Sequence, residues 1–526
     1  MKRNVLWNIA LVLAFLLMLA GEAYAVTAVI RLDMLPAAYL AGLIGVLAVF
    51  SLLVGLMLFA KRKKPGKGRR IIACVLAVIM LCGCAAIATV ATDVMKMLKA
   101  TTSALLEIPT REIYIRADNP ARNLKDTAGF TYGYLKNFDE SCTNQALDVI
   151  CQKTGTRVHT AGFTDIATMI HALLENRIDA IILNGGIVSL LEDTEEFTDF
   201  SARISMLDQI RVEEAEDAET IILPPAGEDI AESTIQETES TEPEASGPDQ
   251  ETVDYSALEP FIVYVSGSDS YNTKIVKSGR SDVNILAVVN PMTKQILLIN
   301  TPRDYYVPNT AGNGAFDKLT HCGIYGTKCS MNTLENLYGE DISYFVRINF
   351  TGFKKLIDAL GGVTVYSDYA FTAITRTYIQ EGENHLDGQQ ALDFARERAT
   401  LKGGDSERGR HQMQVITAVI EKATSGTTIL TNYADILDSV EGMFQMNIPT
   451  EMVSKLIKMQ LSDMARWNVV SFSVKGTVAA EECYSMPGMR LSVMKPNQAS
   501  VSKASRLIDM VLDGELLTEE VMSSIS

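Results

Sequence analysis

Histidine and tryptophan are scarce in this chain of 526 residues, with 5 and 2 copies. That leaves little material for a multi-histidine metal centre. A basic excess is missing too, since 47 Lys plus Arg face 64 Asp plus Glu for a formal net charge of −17. This balance argues against a nucleic-acid partner, because phosphate backbones are held by Lys and Arg. There is no GxxxxGK[ST], no HExxH and no GxSxG near a His/Asp set, so the phosphate-loop, zinc-protease and serine-hydrolase signatures are absent. Cysteine is limited to 8 residues without a matched pair of CxxC motifs, which gives no support for zinc.

What is present is strongly divided along the chain. A mean hydropathy of +0.12 is too high for a chain with 21% charged residues, so very apolar and very acidic regions must be averaging out. Residues 35–60 carry no charge and are long enough to cross a hydrocarbon layer of about 30 Å. Residues 71–92 repeat the pattern, and between the two lies KRKKPGKGRR, residues 61–70, with seven basic residues in ten. Short basic loops stay cytoplasmic, so the two spans form a hairpin turning inside, and the chain beyond Asp93 lies outside. The apolar stretch at residues 5–30 has two readings. It is a retained helix, or a signal peptide cut at Ala23-Tyr24-Ala25; the apolar run from Glu22 to Ile30 favours the helix. Residues 1–98 are thus a multi-pass membrane anchor. In an oxidising exterior, Cys142 with Cys151 and Cys322 with Cys329 are candidate local disulfides or buried free thiols.

At roughly 100–200 residues per domain, the length predicts two to four units. Residues 212–254 contain fifteen Asp or Glu and no Lys or Arg. So little apolar material cannot offset the entropy of ordering, which predicts a disordered linker over 212–256. It separates an accessory domain, 99–211, from a unit at 257–490 with a C-terminal extension at 491–526. The accessory domain reads as alternating β and α: strands at 111–117, 157–162 and 179–184, helices at 143–155 and 165–177. Its segment 172–182 resembles the helix-to-strand passage of solute-binding-protein-like domains, which hold ligands at strand ends. Binding and docking roles both stay open.

The second unit carries the chemistry. Strands are expected at 261–265, 283–290 and 294–301, with polar turns at their ends that contain Asp269, Arg280, Asp282, Arg303 and Asp304. Strand ends are where α/β folds place their sites. A helix-like run at 386–398 ends in Arg396 and Arg398, followed by a second helix at 406–423. Asp405 suits its N-cap, and Arg408 and Gln412, four apart, share one face. Arg396 and Arg398 are two apart and converge only if the helix has ended and the chain is extended there. The set predicts an arginine-lined pocket for a multiply charged phosphate, because guanidinium forks bind phosphate oxygens bidentately.

These residues resemble the LytR-CpsA-Psr (LCP) family of the Gram-positive cell envelope. The matching motifs are the 267–269 turn, Arg280-Ser281-Asp282, Pro302-Arg303-Asp304 and Lys318-Leu319-Thr320-His321. Leu360-Gly361-Gly362-Val363, the 386–398 segment and the run Asp405, Arg408, His411, Gln412 complete the set. One position departs, since the family usually has Arg where His411 stands. The resemblance implies an α/β fold: transmembrane helices, a small α/β solute-binding-like domain and an α/β/α LCP catalytic domain with a central mixed sheet. It implies a phosphotransferase moving a glycopolymer from an undecaprenyl-pyrophosphate carrier in the membrane to a peptidoglycan sugar hydroxyl. Arg280, Arg303, Arg396, Arg398 and Arg408 would clamp the pyrophosphate, with Gln412 on a phosphate oxygen or a neighbouring group. Asp269 and Asp282 are hard oxygen ligands for one Mg²⁺ or Mn²⁺. Asp405 would orient an arginine, and Asp304 is a candidate to take the acceptor's proton. Apolar residues of the helices at 350–360 and 413–420 are candidates to line a tunnel for the polyprenyl tail, or else plain core. The alternatives are a membrane-anchored binding or regulatory protein with a vestigial site, and a polyprenyl-pyrophosphate hydrolase.

Overall fold

The computed structural model describes residues 2–59, 67–102, 110–136, 138, 140–212, 258–268, 270, 275, 279–425, 436 and 439–525. The expected linker, apart from Val212, and Asp269 lie outside the described residues.

Three helices open the chain, Lys2–Leu32, Ala37–Phe59 and Lys67–Thr102, each long and apolar enough to cross a membrane. The first is one unbroken helix through the expected cleavage site, where Ala25 is buried in the bundle. Its Glu22 carboxylate accepts the Ser51 hydroxyl of the second helix at 2.5 and 2.6 Å, which satisfies a charge that an apolar surrounding would otherwise penalise.

The accessory domain is a mixed five-stranded sheet in the order His159–Phe163, Thr131–Leu135, Ala180–Leu183, Thr110–Arg116, Ile204–Arg211. The helices Glu140–Thr154 and Ile166–Leu174 fall close to the expected positions. Two of its strands, Thr131–Leu135 and Ile204–Arg211, and the short helix Gly185–Glu192 were not among the expected elements.

The catalytic unit is built on a six-stranded mixed sheet. Its order is Phe444–Met446, Tyr344–Asn349, Phe261–Ser268, Ser281–Asn290, Gln295–Asn300, Asn468–Ser473. The central strands are antiparallel neighbours, Tyr344–Asn349 runs parallel to Phe261–Ser268 and antiparallel to Phe444–Met446, and Asn468–Ser473 runs parallel to Gln295–Asn300. Successive side chains point to opposite faces, and both faces are covered. Leu286, Val288, Leu297 and Ile299 pack with the helices Thr327–Tyr338 and Gln498–Leu512. Phe261, Val263, Ile285 and Leu298 pack with Gly404–Thr424 and Thr450–Asp463. The result is an α/β/α sandwich. Residues 491–526, expected as a separate extension, are part of it: Val501, Ala504, Leu507, Ile508 and Val511 are fully buried in its core. The polar face of that helix masks its apolar stripe in the sequence.

The accessory and C-terminal units also share a packed contact. Ile324 and Met486 of the catalytic unit belong to the apolar core of the accessory domain, and Phe138 stacks on Tyr484 with ring centroids 4.8 Å apart. At the sheet's other edge, Met446, Ile457 and Leu461 pack against Met34 and Val94 of the anchor. Lys458 Nζ lies 2.5 Å from Asp33.

Candidate active site

A cavity of about 410 Å³ opens at the ends of the central strands. One wall is charged, lined by Asp282, Arg303, Arg396, Arg398 and Arg408, with the neutral amide of Gln412 beside them. The other is apolar, with Val265, Ile348, Phe350, Phe353, Val415 and Ile416 among its residues. The helices at 350–360 and 413–420 therefore contribute to the wall, although Met413 and Ile420 are core.

Local backbone geometry sets the arginines. The helix Gly388–Arg396 stops at Arg396, and Glu397 follows with φ −60° and ψ 134°. That extended residue lets Arg396 and Arg398 reach the same cavity. Arg396 lies over the Phe350 ring at 4.2 Å, where the aromatic face favours a cation. Glu397, which sequence reasoning missed, fixes this corner. Its Oε1 accepts the Arg398 and Thr400 N–H groups at 2.9 and 3.0 Å, and its Oε2 accepts Ile374 N–H at 2.7 Å. Burial raises its pKa, but those backbone donors outweigh it and hold the carboxyl below the usual range. Its only sequence signal was its place between the two arginines.

Asp282 sits at the start of its strand. Its Oδ1 accepts from Arg303 Nη1 at 3.0 Å and Thr320 Oγ1 at 3.1 Å. Burial pushes its carboxyl up, and the guanidinium groups of Arg303, Arg280 and Arg408 overcome that and lower it. Burial likewise opposes the charge on Arg303, but Asp282 and Asp304 hold its pKa above the ordinary value. Arg408 is different: burial, with Arg303 and Arg398 beside it, pushes it down against the pull of Asp405. A buried guanidinium crowded by others of its kind is a site short of negative charge.

Three of the expected residues do not line the cavity. Asp405 is not the N-cap: the helix Gly404–Thr424 begins before it, with Gly403 as cap, and Glu407 Oε2 reaches back to the Gly403 N–H at 2.9 Å. Asp405 instead pairs with Arg408 Nη2 at 2.8 Å. Asp304 is held by Lys318 Nζ at 3.1 Å and lies 4.0 Å from Arg303 Nε, which suits orienting an arginine. Arg280 pairs with Asp193 of the accessory domain. Gln412 donates to Ala395 O at 3.3 Å, tying the two helices that carry the arginines. His411, at the departing position, is buried between Phe394 and Phe371, with centroids at 4.0 and 5.6 Å. It is a core ring rather than a site cation.

For a divalent cation, the described residues offer the Asp282 carboxylate. Its Oδ1 is committed to Arg303 and Thr320, while no donor among the described residues is seen at Oδ2. A half-committed hard oxygen ligand fits Mg²⁺, which keeps several waters. A second cluster, Asp317, His321 and Cys483, is fully buried but internally satisfied. Asp317 accepts from His321 at 2.6 Å, from Lys318 N–H at 2.8 Å and from Ser485 N–H at 3.0 Å. Cys322 and Cys329 are both buried free thiols, and Cys142 and Cys151 are also free.

The α/β sandwich thus carries a guanidinium-lined cleft that continues into an apolar one. Residues 229–501 match the model of the LytR_cpsA_psr family, and the chain belongs to that family. It is 34% identical over 205 residues to the polyisoprenyl-teichoic acid–peptidoglycan teichoic acid transferase TagU of Enterococcus faecalis, covering 39% of this chain and 67% of that protein. The TagU of Halalkalibacterium halodurans is 36% identical over 189 residues, 36% of this chain and 60% of that protein. Among solved structures, B. subtilis TagV is 25% identical and covers 48% of this chain and 98% of that one, with a TM-score of 0.41.

Proposed function

We propose that this chain is a cell-envelope glycopolymer transferase. It moves a polymer from a membrane-borne undecaprenyl pyrophosphate to a sugar hydroxyl of peptidoglycan. The observation that carries the reading is the continuity of arginine wall and apolar wall in one cavity, which matches a pyrophosphate head joined to a polyprenyl tail. The relatives' names point to the same donor and acceptor classes. The three apolar helices would anchor the chain in the cell membrane, and the basic segment 61–70 argues for a catalytic domain outside the cell.

In the reaction, the acceptor oxygen attacks the phosphorus that bears the polymer. The bond from that phosphorus to the bridging oxygen breaks, and polyprenyl phosphate leaves with the electron pair. Such transfers depend on positioning and charge neutralisation more than on covalent help. Arg303, Arg396, Arg398 and Arg408 supply the neutralising charge, with Glu397 and Gln412 fixing the corner that presents them. Mg²⁺ or Mn²⁺, held by Asp282 together with Asp269, would add a further positive charge beside the phosphates. Asp304 and Asp405 orient Arg303 and Arg408, and the hydroxyl proton passes to a phosphate oxygen or to water at the mouth. The test uses full-length protein in lipid nanodiscs with Mg²⁺, polyprenyl-pyrophosphate-linked polymer and peptidoglycan fragments. Mass spectrometry should find the covalent polymer–phosphate–sugar product. Binding without product would favour a binding or regulatory protein, and release of polymer phosphate into water a hydrolase.

A further inference from the structure

One short segment touches both members of the Asp282–Arg303 ion pair. The helix Leu319–Cys322 is held firmly in place: Leu319 and Cys322 are fully buried in the core beneath the sheet, and His321 Nδ1 lies 2.6 Å from Asp317 Oδ1. Its opening N–H groups, which a helix leaves without internal partners, are taken by the neighbouring strand end. Leu319 N–H donates to Tyr305 O and Thr320 N–H to Arg303 O, both at 2.8 Å. Thr320 is itself buried, and its hydroxyl donates to Asp282 Oδ1 at 3.1 Å. One threonine therefore holds the backbone of Arg303 with its N–H and the carboxylate of Asp282 with its side chain.

The second of these bonds bears on how the ion pair closes. A guanidinium facing a carboxylate commonly docks with two parallel N–H···O bonds, one to each oxygen. Here the contact is single, with Arg303 Nη1 on Asp282 Oδ1 at 3.0 Å. Arg303 Nε is buried without a hydrogen-bond partner among the described residues, 4.0 Å from Asp304 Oδ2. The Thr320 hydroxyl lands on the same Asp282 Oδ1, so both donors converge on one oxygen. Turning the carboxylate to meet a second Arg303 N–H would break the threonine bond. The other oxygen, Oδ2, is left to a residue that lines the cavity.

We propose that Thr320 is a positioning residue for the cation site. It keeps the Asp282–Arg303 pair single-pronged, and so keeps Asp282 Oδ2 for Mg²⁺ or Mn²⁺. Without the hydroxyl, the carboxylate turns to give both oxygens to the guanidinium, and the two groups neutralise each other in place of cation and phosphate. Serine at this position preserves the donor. Valine keeps nearly the same shape and loses it.

The inference rests on the transferase reading, and its test separates the two. Mn²⁺ is titrated into full-length protein in phosphatidylcholine nanodiscs, with no lipid substrate, and free Mn²⁺ is read by electron paramagnetic resonance. Binding that disappears in Asp282→Asn defines the site. Thr320→Val should raise its Kd about tenfold or more, as expected when a hydrogen bond to a charged group is lost, while Thr320→Ser should stay within about twofold of the wild type. In an Arg303→Lys background Thr320→Val should cost the cation nothing further, because an ammonium has no planar fork to close on both oxygens; a general packing role would not produce that cancellation. A separate titration with undecaprenyl pyrophosphate addresses the parent reading: wild type that holds Mn²⁺ but not the lipid would sink the transferase and leave Thr320 in its role. No Mn²⁺ site in the wild type, unchanged affinity in Thr320→Val, a loss in Thr320→Ser as large as in Thr320→Val, or an equal loss in the Arg303→Lys background would overturn the proposal.

Discussion

His411 is held between two phenylalanine rings, with Nδ1 3.2 Å from Phe394 O. Burial, helped by the neighbouring Arg410 cation, lowers its pKa from the ordinary value of 6.5 to about 4. Folding therefore favours the neutral ring. The stability this confers is complete above pH 6.5 and is lost as the pH falls towards 4, by about 3 kcal/mol in all. Replacing His411 with Phe should flatten the decline, so that denaturant midpoints at pH 7 and pH 4.5 differ less than in the wild type. The sequence flags position 411 as a departure but not its role, because Phe371 comes from 40 residues away. Arg408 makes the opposite case. Burial and two neighbouring guanidinium groups already work against its charge, so Arg408→Ala should cost little stability. Its effect should fall on ligand: loss of a charged hydrogen-bond donor predicts pyrophosphate binding weaker by about ten- to a hundredfold, read by titration.

At the scale of elements, the arginine corner depends on a helix lying close against the sheet. At Gly409 a Cβ would stand 2.2 Å from Asn300 Nδ2, and Asn300 is buried beside Ser473. Gly409→Ala should force the helix Gly404–Thr424 off the sheet at a cost of about 1–3 kcal/mol. It should carry Arg408 and Gln412 out of register, so that Tm and kcat/KM fall together. This part of the site was legible early, because 3.6-residue periodicity and charged strand ends are local signals. The helix Gly388–Arg396 and the three central strands follow from such patterns, whereas the helix's stop at Glu397 does not: the sequence says only that Arg396 and Arg398 converge if the helix has ended. The outer strands Tyr344–Asn349, second from one edge, and Asn468–Ser473, at the other edge, do not follow from them either, since their parallel pairing is decided by partners about 80 and 170 residues away. Arg347 and Asp193 were missed for the same reason. Arg347 is a lone charge in the mostly apolar run YFVRINF, and Asp193 is one of several acids in EDTEE, until the fold places each beside the 279–281 backbone.

For the whole molecule, the helix Gln498–Leu512 is a structural requirement. Deleting residues 498–526 would uncover Leu286, Val288, Leu297 and Ile299 on one face of the sheet. Burial of each such side chain contributes about 1.5–3 kcal/mol, so the truncated chain should be recovered only as aggregate, visible by size-exclusion chromatography in detergent. Composition alone divides the chain into apolar anchor, acidic stretch and site-bearing unit. The seam between accessory and catalytic units was invisible, because its residues, Ile324, Met486 and Phe138 among them, look like ordinary core in either half.

That seam changes what the acidic stretch is for. The two units at its ends already share an apolar core, a ring stack and a bonded helix, so covalent continuity between Val212 and Leu258 is not what keeps them together. A protease site engineered into residues 213–257 and cut after membrane insertion should yield two polypeptides on a denaturing gel. Under native conditions they should still migrate as one particle, and a nicked enzyme of this kind should retain its pyrophosphate binding.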